Sequence, residues 1–239
     1  MLGLSSTVKI LPCVLMLAPV LPFLHQVLKP VFPGCLWLGN SQRREIALTF
    51  DDGPHPEHSP DLLRVLDHYD ITASFFWLGS WVEHTPTTAR ATVAAGHWIG
   101  LHGYDHRSFP GLSPVELRHS LERTQAAIEQ VCGLSPQQVR DVRPPNGLFT
   151  PQTLKLLNQW GYRTVMWSVV PVDWERPGVE VVVERVLSQT GNGDLLVLHD
   201  GPSGGQDVAA ATARLLPVLL AQGYRFVTIE QLWANRALT

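Results

Sequence analysis

Glu45-Ile46-Ala47-Leu48-Thr49-Phe50-Asp51-Asp52-Gly53-Pro54 is the stretch on which the reading of this chain turns. A short apolar run ends in two adjacent carboxylates and then in a Gly-Pro turn. The run reads as a strand, Ile46–Phe50, and the acidic pair stands at its C-terminal end. From here to the C-terminus, short apolar runs alternate with amphipathic stretches. Further strands are expected at Ala73–Leu78, Trp98–Leu101, Val139–Arg143, Arg163–Val169, Asp194–Leu198 and Phe226–Ile229. Helix signals lie between them. Ser113-Pro114-Val115-Glu116 is a capping box with proline at the first helical position. Ser59-Pro60, Thr85-Pro86 and Thr150-Pro151 repeat the cap-then-proline pattern, and Gly96, Gly133, Gly161 and Gly223 mark helix ends. The helix from Pro114 to Val131 places Val115, Leu117, Leu121, Ala127 and Ile128 on one apolar face. Strands alternating with helices define an α/β fold with a parallel sheet. Seven strands in one unbroken unit, residues 45–239, point to a barrel-like closure. A doubly wound open sheet is the alternative, but no G-x-G-x-x-G follows the first strand.

Composition narrows the partners. Of 239 residues, 45% are hydrophobic and 16% charged, which excludes disordered and coiled-coil classes. A net charge of −3, with lysine only at positions 9, 29 and 155, carries no basic patch for nucleic acid. Cys13, Cys35 and Cys132 form no disulfide framework and read as small buried hydrophobes. Ahead of the barrel, residues 1–44 form an apolar segment and connector. Lys9 precedes Ile10–Leu24, a stretch without charge that Pro12, Pro19 and Pro22 interrupt. It reads as a signal or membrane anchor within residues 10–28, and so a cell-envelope or secreted location. An apolar arm packed on the domain, with a cytoplasmic location, is the other reading. Residues 28–44, rich in proline and glycine, read as a connector.

Unusual polar residues recur at strand ends. Asp51 and Asp52 follow the first strand, His102 to His106 the third, Arg143 the fourth, Asp173 and Trp174 the fifth, and His199 and Asp200 the sixth. In a β/α barrel, the loops after the strands' C-terminal ends build the active site. Asp52, His102 and His106 together form a set that binds catalytic Zn²⁺ and leaves a position open for water. The same donors suit Fe²⁺, Co²⁺ or Ni²⁺. Asp51 is then a free carboxylate beside a metal, placed to act as general base. Secondary nominees are His55 and His58, read as exposed loop residues, and Trp77 and Trp81, split between sugar stacking and core packing. Asp200-Gly201-Pro202 reads as a turn, and His97 and Trp98 as barrel wall.

These residues carry a specific resemblance. Thr49-Phe50-Asp51-Asp52-Gly53-Pro54 resembles the first motif of the polysaccharide deacetylase family (NodB-like, carbohydrate esterase family four). His102-Gly103-Tyr104-Asp105-His106 resembles its second, H-[ST]-x-x-H, and Arg143-Pro144-Pro145-Asn146-Gly147 its third, R-x-P-[YF]-G. Asp173-Trp174 matches the end of its fourth, and Leu196-Val197-Leu198-His199 its fifth, in family order. The resemblance implies a distorted (β/α) barrel of seven or eight strands and metal-dependent removal of N-acetyl groups from the amino sugars of an acetylated polysaccharide or oligosaccharide: peptidoglycan, a chitin-like chain or an exopolysaccharide. Rival readings are an O-acetyl esterase on xylan-like chains and a non-catalytic glycan-binding barrel. By resemblance Asp51 is the base, Asp52, His102 and His106 the metal ligands, and Arg143 the partner of Asp51. His199 is the general acid and Asp173 its holder. Trp174 and Leu198 shape the acetyl pocket, and the Asn146 backbone N–H meets the oxyanion. The chain departs from the family at Gly103, where a Ser or Thr is usual, at Asn146, where an aromatic is usual, and at Val170, where an Asp is usual.

Overall fold

A computed structural model describes residues 24–236. Its strands are β1 (Glu45–Asp51), β2 (Ser74–Trp77), β3 (Trp98–Leu101), β4 (Asp141–Val142), β5 (Arg163–Thr164), β6 (Leu195–His199) and β7 (Arg225–Phe226). All pair in parallel, in the order β5-β4-β3-β2-β1-β6, and β7 joins the first two residues of β1. The helices are α1 (Leu24–Val31), α2 (His58–His68), α3 (Gly79–His84), α4 (Pro86–Ala94), α5 (Pro114–Cys132), α6 (Pro151–Gln159), α7 (Val179–Gln189), α8 (Gly205–Ala221) and α9 (Ile229–Arg236). Parallel strands need crossovers, and helices supply them.

The sheet curls until its two ends nearly meet. The strand expected over Arg163–Val169 is regular for only two residues. Beyond Thr164 the chain bridges Leu36 through Val165, and then β6 through Val169 and Leu196. Hydrogen bonds from Leu36 N–H to Thr164 O and from Met166 N–H to Leu36 O, at 2.9 and 2.8 Å, stitch this seam. The stretch read as a connector is therefore part of the wall. Leu28, Cys35 and Trp37 are buried against Phe149, Met166, Trp167 and Val197, so no boundary at residue 45 separates the described residues. Residues 10–23 of the expected anchor lie outside them, as does Cys13. Among the described residues, no helix is long and apolar enough to cross a membrane.

Strand alternation sorts the core. Ile46, Leu48 and Phe50 of β1 and Leu196 and Leu198 of β6 join Phe75, Leu101 and the helix residues Leu62, Leu121 and Leu215 in one cluster. The intervening residues Ala47, Thr49, Asp51, Val197 and His199 face the other way, into the barrel. Trp77 belongs to the helix-side core and has no exposed surface.

Capping follows the sequence at two helices. Ser113 and Glu116 form the reciprocal box at α5, and Thr150 and Thr153 form one at α6. Thr85 precedes α4, yet its hydroxyl bonds the carbonyls of Pro54 and Trp81. Ser59 lies inside α2, which starts a residue earlier, and its hydroxyl reaches Asp200 instead. Val115 is 79% exposed, off the apolar face of α5, while Leu117, Leu121, Ala127 and Ile128 are buried. Gly133 ends α5 at φ +73, where a Cβ would be strained.

His97 shows how burial sets a proton affinity here. Its Nδ1 accepts the Ala73 N–H at 3.2 Å, and burial lowers the imidazole to about 4 from 6.5. Above pH 6.5 the ring is neutral whether the chain is folded or not. As pH falls from there toward 4, the unfolded chain gains a proton that the folded one refuses, so stability is lost by up to about 3 kcal/mol. Urea titrations of the metal-free protein at pH 7 and pH 4 should show that loss shrink in His97→Gln; an unchanged pH dependence would contradict it.

Candidate active site

The inward residues at the C-terminal ends of β1, β3 and β6 open onto a cavity of about 690 Å³. Asp51, Asp52, His102, His106, Asn146 and His199 line it, with Leu78, Trp81, Trp167, Trp174 and Val197 as apolar wall. Arg143 and Asp173 stand behind the lining, both buried. Leu198 does not reach the cavity: alternation along β6 turns it into the helix-side core, and Val197 takes the wall position expected of it. Trp167 also went unread in the sequence. Gly147, at φ +65, makes room for its ring, which a Cβ there would strike.

Asp51 and Asp52 are adjacent but differently held. Asp51 Oδ1 accepts from Arg143 Nη1 at 2.6 Å. The same nitrogen donates to Thr49 Oγ1, and Nη2 donates to the Met166 carbonyl, both at 2.8 Å. The guanidinium lies 4.1 Å from the Phe76 ring centre and has no exposed surface. Burial lowers its proton affinity, and Asp51 pulls the other way. Asp52 leaves the strand at φ +72. Its Oδ1 is buried without a hydrogen-bond partner, 3.4 Å from His102 Nε2 and 3.3 Å from His106 Nε2.

That cluster suits a cation. The three candidate ligand atoms lie within 4.8 Å of one another. His102 Nδ1 sits 2.8 Å from the Arg143 carbonyl, so Nδ1 carries the proton and donates, which leaves the Nε2 lone pair facing Asp52. Burial pushes His102 below the ordinary histidine range, against the pull of Asp51 and Asp52, and keeps it neutral as a ligand must be. Gly103, at φ +84, brings no hydroxyl to this loop, but the Ser120 hydroxyl of α5 accepts the Tyr104 N–H at 2.9 Å.

Across the cavity His199 is bound twice to Asp173: Nδ1 to Oδ1 and backbone N–H to Oδ2, each at 2.8 Å. Burial alone would lower His199. The Asp173 carboxylate, with Asp52 and Asp51 beyond it, outweighs burial and carries the imidazole up to about 10. Val172, before Asp173, holds φ +60, an outlier for a β-branched residue. With Asp52, His106 and Asn146 it makes four of the six non-glycine positive-φ residues among those described. Strain of this kind concentrates at functional sites. His55 and His58 stack on each other, with ring centres 4.0 Å apart, outside the lining. Asp200 is no surface turn: it is fully buried, and burial pushes its carboxyl up to about 7 against the Ser59 hydroxyl bond.

A curled parallel sheet whose strand ends gather a carboxylate–guanidinium pair, an Asp-His-His cluster and a carboxylate-held histidine defines a metal-assisted hydrolase. The family model for polysaccharide deacetylase matches residues 39–165, and the chain belongs to that family. It is 35% identical to a peptidoglycan-N-acetylglucosamine deacetylase of Bacillus cereus, over 82% of this chain and 91% of the relative. It is 33% identical to a chitooligosaccharide deacetylase of Azorhizobium caulinodans, over 75% and 90%. A crystal structure of a peptidoglycan N-acetylglucosamine deacetylase with a bound N-hydroxybenzamide superposes with a TM-score of 0.80 at 29% identity, covering 85% of this chain and 95% of that one. The chain is thus a carbohydrate-esterase-type hydrolase acting on N-acetyl groups.

Asp52 Oδ1 makes no hydrogen bond among the described residues. Asp52→Asn should leave the metal-free melting temperature unchanged or raised and weaken Zn²⁺ binding at least about 100-fold. Differential scanning fluorimetry and chelator competition check both. Retained zinc affinity would place the metal elsewhere.

Proposed function

We propose that this protein removes the acetyl group from N-acetylglucosamine units of peptidoglycan or a chitin-like chain in the cell envelope. The observation that carries this reading is the placement of Asp51 and the His199–Asp173 pair around the Asp52, His102 and His106 cluster. A divalent ion held by those three residues, Zn²⁺ first among the candidates, would polarise the acetyl carbonyl and acidify a water. Asp51, hydrogen-bonded to the Arg143 guanidinium, takes the proton of the attacking water. The backbone N–H of Asn146 offers a donor to the oxyanion. Trp174, Trp167 and Val197 enclose the acetyl methyl and exclude water from it. His199, held protonated by Asp173, gives its proton to the departing sugar nitrogen. An amine leaves poorly without that proton, which favours an amide over an ester substrate.

The same names supply the setting. The first relative is named for peptidoglycan, a cell-wall polymer, which agrees with the uncharged stretch Ile10–Leu24 as a signal or anchor. The open cavity, walled by Trp81 and Trp174, suits a chain of sugars entering from the side.

Acetate release by the full chain from N-acetylglucosamine oligomers and from peptidoglycan, after chelation and after adding back Zn²⁺ or Co²⁺, tests the reading. Metal-restored release is expected; silence on both substrates with metal bound would contradict it. Asp51→Asn should lower kcat by about 10²- to 10⁴-fold while zinc affinity stays within about threefold. Asp173→Asn should move the alkaline limb of the kcat profile to lower pH by at least about one unit. The acid must be protonated to act, and losing the Asp173 charge lets burial lower His199. An alkaline limb that stays put would assign it to another group.

A further inference from the structure

The chemistry above leaves the fully buried carboxyl beside His199 unused. Asp200 follows His199 at the end of β6, and neither it nor Ser59 has exposed surface. Asp200 Oδ2 accepts the Ser59 hydroxyl at 2.5 Å, and Ser59 Oγ accepts the His55 N–H at 2.8 Å. The Asp200 N–H donates to the Asp51 carbonyl at 3.1 Å. Its Oδ1 has no hydrogen-bond partner among the described residues and lies against Gly53, where any Cβ would run into the carboxylate. One residue on, the contact is returned: a Cβ at Gly201 would run into the Cβ of Asp52 and lie 2.7 Å from its carbonyl oxygen. Asp52-Gly53 and Asp200-Gly201 are therefore packed backbone against backbone, with a glycine on each side so that the two can touch. His58 Nδ1, 3.0 Å from the Gly201 carbonyl, adds a second tie from α2 to the same loop.

Between these two loops sits the backbone of Asp52, in a left-handed conformation that is uncommon outside glycine. We infer that Asp200, tied to α2 through Ser59, is a positioning residue for the metal site, clamping the Asp52-Gly53 segment so that Asp52 Oδ1 stays between His102 and His106. The inference rests on the reading of Asp52, His102 and His106 as metal ligands. The clamp also fixes the spacing between the strand end that carries the base and the one that carries the acid, because the Asp200 N–H joins β6 to the Asp51 carbonyl.

The test is the Zn²⁺ affinity of the full chain by chelator competition, with urea unfolding of each metal-free variant in parallel. Ser59→Ala and Asp200→Ala should each weaken zinc binding about 10- to 100-fold, the range for residues that orient a ligand. Asp200→Asn keeps shape and an acceptor oxygen for Ser59 and should bind within about threefold of wild type. Gly201→Ala, which leaves Asp200 untouched and pushes Asp52 directly, should weaken zinc at least about tenfold, so the idea stays open to refutation if Asp200→Ala fails to fold. Variants that lose stability but keep wild-type zinc affinity would show Asp200 to be a packing residue only and overturn the inference. So would an Asp200→Asn as impaired as Asp200→Ala, since charge rather than the clamp would then matter. A wild-type chain that binds no zinc would overturn the metal-site reading first, and this inference with it.

Discussion

A guanidinium stripped of water costs several kcal/mol unless its donors are matched, and Arg143 is fully buried at the centre of this site. Nη1 and Nη2 donate to Asp51, Thr49 and the Met166 carbonyl, and the plane rests near Phe76, while Nε has no partner among the described residues. Thr49 passes the link on, donating to the Leu196 carbonyl of β6. One side chain thus draws together β1, β6 and the seam after β5. Its backbone does a second job, because the Arg143 carbonyl takes the proton of His102 Nδ1 and so sets the tautomer of a metal-ligand candidate. The proton-accepting half of the site and the cation-holding half share a single residue.

From that anchor the division between Asp51 and Asp52 follows. Asp51 is the last residue of β1 and keeps the strand's inward direction, which brings it to Arg143. Asp52 has left the strand, and its left-handed backbone turns the carboxylate toward His102 and His106. Two chemically identical neighbours thereby acquire different environments: one is neutralised by a fixed cation, the other is left with an empty acceptor. His199 completes the set from β6, paired to Asp51 in strand register and held by Asp173 from the loop after the seam.

Much of this was readable before any coordinates. The runs at 46–50 and 98–101 are strands because apolar stretches bounded by turns have few other options, and Ser113 with Glu116 caps α5 as its spacing requires. The polar residues at strand ends converge because parallel strands all end on the same side of the barrel. What escaped the sequence depends on tertiary partners. Residues 28–44 look like a linker, rich in proline and glycine, yet Leu36 and Trp37 fill the gap where the sheet fails to close. Leu198 and Val197 differ in facing, not in kind, and only the pairing of β6 with β1 decides which one meets the cavity. Asp200 and Ser59 each resemble ordinary turn or cap residues, and their bond joins segments far apart in sequence. Val115 lies about 200° around α5 from the buried Leu117, so it points off the apolar face to solvent.

The division of labour between the adjacent aspartates is the centre of this picture, and X-ray absorption on the zinc-loaded protein examines it most directly. Wild type and Asp51→Asn should give the same spectrum, with two imidazole nitrogens and one carboxylate oxygen at about 2.0–2.2 Å. A spectrum that changes when Asp51 is replaced, or one that shows sulfur or a single histidine, would contradict it.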